Sequence, residues 1–419
     1  MNGAKRGGVT VIGGGIIGTV CANYLQREGH TVTLIDRNGG DPDEMCSFGN
    51  TGGVSPASVV PIATPGMIKD VVKWLMDPLG PLHIRWSYLP ACLPWLIRFL
   101  RQSSPERVRA ISKALASLNR ETFEAYDPLL KEAGLQHLFK RTGQLFVYRS
   151  EDGPEHDRFA IDLKRQVGLP IEILGAEEIR EIEPAISPEF RKAHFIPGHG
   201  HCTNPYGLVK GLADHFVRRG GTLLRETVTG WDIGPEGPRG LRTASGRSIE
   251  VDKVVIAAGA WSNALIEPLG HRVPLESHRG YHVTLSDPGV APRIMTLSAD
   301  DKIALTPMDM GLRLAGNVEL AGLDAAPNFE RARKLLRIGE RVFPGLKTAK
   351  FTEWMGHRPC LPDSLPVIGR SPKHANVFLA FGHGHQGLIG ASKTGQVLAE
   401  IIAGRPASID LRPFRVDRF

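Results

Sequence analysis

Three groups of residues in this chain of 419 have types and spacing suited to chemistry. Gly13, Gly15 and Gly18 stand in G-x-G-x-x-G spacing, and Asp36 follows one helix and one strand later. The first glycine permits a tight turn, the second lets backbone amides approach a pyrophosphate, and the third lets a helix pack closely on a strand. Asp36 is then placed to accept hydrogen bonds from a ribose, although an acid at a strand end can also be simply solvated. The second group is a run of glycines at 382, 384, 387 and 390 around His383 and His385, where backbone amides can reach a planar or anionic ligand. The third is Arg358, in Gly356-His-Arg-Pro359, whose guanidinium fork matches a carboxylate in two parallel bonds.

These groups need elements to hold them. An apolar run at 9–12 reads as a buried strand, 16–28 as a helix and 31–35 as the next strand. A glycine pattern alone is weak in a chain with 48 glycines, but strand, helix and acid together favour dinucleotide binding over an accidental turn. Residues 104–133 read as helices with Leu115, Leu118 and Phe123 as core candidates, 144–148 as a strand and 176–182 as an acidic helix. A helix at 206–219 ends at Gly220 and Gly221, and strands follow at 222–224 and 228–233. The apolar run 251–257 leads into Ala258, Gly259, Ala260 and Trp261, as suits a central parallel strand whose end meets a ligand. Strands near His282 and Ile303 and a basic helix at 328–341 form an excursion into a second unit. A strand at 377–380, the glycine loop and a helix at 391–403 return to the first unit. The expected class is α/β: a split Rossmann-like domain, with a second α+β domain built on a mixed or antiparallel sheet.

Composition narrows the partners. A net charge of +7 and a pI near 9.2 favour anionic ligands, yet the basic residues are dispersed and no nucleic-acid motif is visible. Five scattered cysteines without C-x-x-C fit a reducing compartment, not a disulfide scaffold or structural zinc site. No uncharged apolar run reaches the ~18 residues of a membrane span, and the N-terminus reads as fold rather than signal. The expected location is cytoplasmic.

Together with the opening fingerprint, Val254-Val-Ile-Ala-Ala-Gly-Ala-Trp261, Gly356 to Gly369 and Ala380 to Gly387 carry a resemblance to a known family. The chain resembles the D-amino acid oxidase superfamily of FAD enzymes, and within it the D-amino acid dehydrogenase group of the small-subunit type. Ser47-Phe-Gly-Asn-Thr-Gly-Gly-Val-Ser-Pro56, Pro65-Gly-Met and Lys73-Trp-Leu echo that group's loops. The resemblance implies a glutathione-reductase-like FAD-binding domain at 1–74, 191–271 and 353–419, with a substrate domain at 75–190 and 272–352. It implies noncovalent FAD, held first by Gly13, Gly15, Ile16, Ile17, Gly18, Asp36 and Arg37. Further FAD positions are Asn50, Thr51 and Gly52, then Val228, Ala258, Gly259 and Trp261. The last segment is Gly382, His383, Gly384, His385, Gln386, Gly387 and Leu388, with amides near the edge of the flavin that gains negative charge. Arg358 falls on the position that binds the substrate carboxylate in glycine oxidases. Where those enzymes add a tyrosine this chain has Ile303-Ala304-Leu305, and Tyr281 is the substitute considered, with His385 lining the substrate cavity. The implied reaction is hydride transfer from Cα of a D-amino acid to the flavin, giving an imino acid and then a 2-oxo acid and ammonia. Cyclic imino acids such as D-proline, a glycine or sarcosine oxidase and a flavin subunit of an electron-transfer complex are the alternatives. An NAD dehydrogenase would leave the C-terminal glycine loop without a task.

Other residues admit two readings. Arg358 can instead be a structural ion pair with Asp363 or Glu353. His383 and His385 form an H-x-H, but no third metal ligand is evident, and no metal is expected. His199 and His201 read as structural. Cys360 invites a flavin thioether, but its spacing to Pro362 and Asp363 does not suit one. The stretch 67–102 mixes Trp74, Trp86 and Trp95 with Arg85, Arg98 and Arg101. It reads first as a cover for the core and second as a peripheral contact with the inner face of the plasma membrane; the resemblance implies a quinone or a partner protein as electron acceptor there.

Overall fold

A computed structural model describes residues 6–39, 45–67, 77 and 79–419. Lys73 and Trp74 of the sequence reading lie outside these. A six-stranded sheet runs in the order Thr222–Arg225, His30–Asp36, Arg6–Ile12, Lys253–Ile256, Val377–Phe381 and Val367–Arg370. All neighbours are parallel except the last pair. Val254, Val255 and Ile256 are fully buried, because a central parallel strand is covered on both faces. Val255 packs with the helices Ile16–Arg27, Pro205–Arg218 and Gly387–Ile402 on one side. Val254 and Ile256 pack with Trp231, Leu241 and Leu265 on the other. The first and last segments of the chain therefore share one sheet and one core.

The larger sheet is mixed, and its order is Phe351–Cys360, Glu276–Leu285, Gly311–Leu320, Ile303–Met308, Met295–Ser298, Gln144–Tyr148, Lys192–Ile196 and Glu172–Leu174. The short strand Leu82–Ile84 pairs alongside Gly311–Leu320. Helix Glu330–Val342 buries Leu335, Ile338 and Val342 against one face, where Tyr281, Val283 and Leu285 meet it. The opposite face of Glu276–Leu285 looks toward the glycine loop.

Sheet membership redraws the expected boundaries. Lys192–Ile196 and Phe351–Cys360 belong to the larger sheet, the latter pairing along its whole length with Glu276–Leu285. Helices Pro105–Asn119 and Thr122–Ala133, expected in the substrate unit, bury Leu115, Leu118 and Phe123 in the core of the nucleotide unit. Their polar groups also fasten the start of the last helix. Asn119 donates to the Gln386 side chain at 2.7 Å, Thr122 to the Ile389 carbonyl at 2.9 Å and Tyr126 to the Leu388 carbonyl at 2.8 Å. That helix begins at Gly387, four residues earlier than the expected start, and the missing side chain at Gly390 lets Leu118 come close. Among the described residues no helix is long and apolar enough to cross a membrane.

Candidate active site

The turn after Arg6–Ile12 and the ends of three neighbouring strands surround a cavity of about 310 Å3. Gly13 has φ +110°, and a Cβ there would sit 2.4 Å from the Ala257 carbonyl oxygen. A Cβ on Gly18 would sit 1.8 Å from the Gly13 carbonyl oxygen, so the helix can approach the turn only without a side chain. Gly15 is different: a Cβ would meet only Ser47 Oγ at 3.5 Å, so its bareness leaves space on the cavity side. Helix Ile16–Arg27 points its N-terminus at the cavity, and helix Gly387–Ile402 begins there through Gly387 and Leu388. Neither has an acid in its first turn, so two positive helix ends converge on one space.

Asp36 accepts from Gly14 N at 2.7 Å and from Asn38 N at 2.9 Å. An ionised carboxylate offers about four lone-pair sites, so capacity for ribose hydroxyls remains. The Arg37 guanidinium lies 3.9 Å over the Trp261 ring, and both line the cavity. Glycines where side chains would collide, converging helix ends and the acid at the strand end make a cradle that fits a dinucleotide.

The second part of the site follows from strand periodicity. Residues directly opposite in an antiparallel pair share a face, and alternate residues along each strand repeat it. Glu276, His278, Gly280 and His282 therefore face the same way as Cys360, Arg358, Gly356 and Trp354. Gly280 provides the room for arginine: a Cβ there would lie 2.0 Å from Arg358 Cζ. Arg358 Nη1 donates to the Asn317 carbonyl at 3.0 Å. Among the described residues no carboxylate lies within ion-pair distance of it. The two structural partners considered are engaged elsewhere, Asp363 with Arg418 at 2.8 Å and Glu353 with Arg333 at 3.0 Å. Burial pulls the Arg358 pKa down, and the neighbouring Cys46 and Cys360 oppose it.

His278 is 4% exposed, and among the described residues neither ring nitrogen has a hydrogen-bond partner. Burial, and then the charge of Arg358, bring its pKa to about 3. His385 keeps solvent access through the crevice, yet the surrounding protein, Arg358 and His278 hold its pKa well below the usual value. Trp95 from helix Leu89–Leu100 packs edge-on against His278 with centroids 4.9 Å apart.

Most of the expected FAD positions line the cavity. Gly13, Gly15, Ile16, Ile17, Asp36, Arg37 and Asn50 do so, as do Val228, Ala258, Gly259 and Trp261. Gly382, His383, Gly384, Gly387 and Leu388 complete it. Gly18 acts behind the turn, and Thr51 is not on the wall. Gly52 accepts from Cys202 N at 2.7 Å, and Gln386 is held by Asn119, so both are turned to neighbouring elements. His383 Nε2 donates to Thr394 Oγ1 at 2.9 Å, which itself donates to the Gly390 carbonyl. His385 projects to the Arg358 side of the loop.

Tyr281 is a correction. It alternates with His278 and Gly280, so its ring enters the core under helix Glu330–Val342, where its hydroxyl donates to Glu319 and accepts from Asn328 N at 3.0 Å. It does not reach the crevice. Two positioning residues were not anticipated. Ser47 accepts from Ile16 N at 3.0 Å at the helix N-terminus. Buried Arg313 donates to the Phe48 carbonyl at 2.9 Å and the Asn50 carbonyl at 2.7 Å, tying that loop to the larger sheet. Ser47 opens the loop motif that runs to Pro56, but its contact with the helix depends on that loop folding back, and Arg313 carries no local signal.

The fold and the cradle define a dinucleotide-binding class of α/β protein, with the larger sheet bordering the cradle through His357 and Pro359. The sequence profile of the FAD dependent oxidoreductase (DAO) family matches residues 8–401, and the chain belongs to that family. It is 39% identical over 416 residues, 98% of each chain, to a D-amino-acid oxidase of Bradyrhizobium diazoefficiens. To a D-amino acid dehydrogenase of the same organism it is 32% identical over 425 aligned positions, again 98% of each chain. Among solved structures, iminodiacetate oxidase from Chelativorans sp. superposes with a TM-score of 0.74 at 23% identity, covering 97% of this chain and 98% of the other. Glycine oxidase from Bacillus cereus does so with a TM-score of 0.71 at 20% identity over 99% of both chains. These last two likenesses concern the fold.

Proposed function

We propose that this enzyme deaminates D-amino acids oxidatively, with Arg358 as the carboxylate anchor. The observation that carries this reading is a half-buried guanidinium beside the glycine loop, with no carboxylate among the described residues within ion-pair distance of it. A bidentate bond to the substrate would supply the missing counter-charge and fix the position of Cα. Burial and the neighbouring Arg358 disfavour the charged forms of His278 and His385, so positive charge among these three residues is concentrated on Arg358. FAD bound noncovalently in the cradle supplies a two-electron acceptor for the Cα hydride. The substrate amine enters deprotonated and lends its lone pair as the hydride leaves, and the imino acid then takes up water to give a 2-oxo acid and ammonia. Cyclic amines would leave as imines. Cys360 is 1% exposed and is not on the cavity wall, which supports the noncovalent reading.

The electron acceptor is proposed to be a quinone reached at a membrane surface. Helix Leu89–Leu100 buries Cys92, Trp95 and Phe99 and turns Leu93, Ile97 and Leu100 outward. Trp86 is 71% exposed nearby, with Arg85, Arg98 and Arg101 also exposed. Apolar residues beside cations suit the interface of an anionic bilayer. Flotation with anionic but not neutral liposomes, lost in a Trp86→Ser, Ile97→Ser double variant, is the expected result.

The activity is tested by anaerobic mixing of holoenzyme with a panel of D- and L-amino acids that includes D-proline. Bleaching of the flavin by D-enantiomers supports the proposal, and bleaching by none of them contradicts it. Reoxidation by quinone without peroxide supports the dehydrogenase form, whereas rapid peroxide formation assigns oxygen as acceptor.

A further inference from the structure

The H-x-H pair of the glycine loop is not a metal pair, because His383 is turned into the last helix toward Thr394. The fold instead brings His385 to two residues that the sequence places far away. The side-chain donor atoms of His278, Cys360 and His385 all lie within 4.8 Å of one another. We propose that these three residues form a binding site for a divalent cation of the zinc class, set within the substrate crevice.

The donor set fits that class. Two imidazoles and a thiolate suit zinc and disfavour magnesium or calcium, which take oxygen ligands. With Zn–N of about 2.0–2.1 Å and Zn–S of about 2.3 Å, ligand atoms around a tetrahedral ion stand roughly 3.3–3.6 Å apart. Small side-chain rotations close the present spacing to that value. Three protein ligands leave a fourth position open, as in zinc sites that exchange a ligand.

Independently, His278 is a buried imidazole with both nitrogens unpartnered among the described residues. Buried polar groups ordinarily have partners, and a cation would satisfy one of these nitrogens. The scaffold is rigid: His278 and Cys360 are near neighbours on one face of paired strands, and His385 sits at the start of the last helix. Binding displaces the Cys360 thiol proton to solvent and changes no oxidation state. The thiolate offsets one charge of the ion, and repulsion from nearby Arg358 limits affinity, so the site suits reversible inhibition rather than a structural metal. An ion there occupies space that the proposed amino acid would use, and this inhibitory consequence rests on the function proposed above.

The test is titration of holoenzyme with Co2+, whose tetrahedral d–d bands lie to the red of oxidised flavin. Saturable bands at one ion per chain are expected, displaced by Zn2+ and absent in Cys360→Ser. Loss of an outer-shell partner already costs about 10–100-fold in metal affinity, so His278→Gln, which removes a ligand, should weaken binding by at least about 100-fold. Both variants should keep bound flavin. Zn2+ should slow dye reduction in competition with amino acid, and EDTA should restore it. No cobalt bands in flavin-loaded wild type, or unchanged bands in Cys360→Ser, would overturn the site. Cobalt binding without competition would overturn its placement in the crevice. The cobalt spectrum needs no substrate, so it stands or falls separately from the deamination reading.

Discussion

On strand Glu276–Leu285, Tyr281 on one face and His278 on the other differ sharply in how their polar groups are committed. On the face under helix Glu330–Val342, Arg279 lies 3.3 Å from Glu319 and Tyr281 bonds both Glu319 and Asn328 N. On the other face His278 has no hydrogen-bond partner among the described residues, and Gly280 is bare so that Arg358 can lie over it. One strand therefore supplies packing to a core and an open imidazole to a crevice, on faces separated by a single step of the chain. An unsatisfied buried polar group costs about 1–3 kcal/mol, which the core face helps to offset.

The largest break in this comparison should come from Arg358→Ala. Truncating one partner of a buried charge pair costs about 2–5 kcal/mol, or roughly 30- to 5,000-fold in kcat/KM for amino acids. Flavin content should stay unchanged, and Arg358→Lys should recover little because the planar fork is lost. Gly280→Ala should act through the same guanidinium without touching its charge. The intruding methyl displaces the fork, and steady-state kinetics should show a loss of up to about 100-fold with a raised KM. Tyr281→Phe tests the core face: denaturation should show a loss of about 1–3 kcal/mol, with KM for amino acid unchanged.

The smallest effect concerns a buried histidine that is fully partnered, the counterpart of His278. His199 accepts from Ala57 N at Nε2 and shares a hydrogen of Nδ1 with Gln144, both at 3.1 Å. Burial, with Lys164 nearby, brings its pKa to about 3, below the ~6.5 of an unfolded chain. The unfolded chain takes the proton first, so this contribution is complete above pH ~6.5 and is lost as pH falls below it. Within that window stability should drop by about 1.4 kcal/mol per pH unit for this histidine, and His199→Gln should flatten the slope of unfolding midpoint against pH by one proton.

The nucleotide cradle was legible in sequence because its devices are local. Gly13, Gly15, Gly18 and Asp36 belong to one strand–turn–helix–strand unit, and their spacing carries the geometry. The crevice was only half legible. Arg358 was marked by its motif, but excluding Tyr281 and finding His278 needed the face of a strand, which is set by pairing with residues about 80 positions away. Helices Pro105–Asn119 and Thr122–Ala133 showed their apolar stripes in sequence, but a stripe does not name the surface it covers. Ser47 stands in a readable loop motif, but its contact with Ile16 N, like the bonds of Arg313, exists only once the loop has folded back.

The central claim is that Arg358 recognises the carboxylate of the substrate. Anaerobic flavin reduction rates can be compared for a D-amino acid and its decarboxylated amine, in wild type and in Arg358→Ala. Strong discrimination in wild type that collapses toward equality in the variant is the predicted result. Discrimination of the same size in both proteins would contradict it.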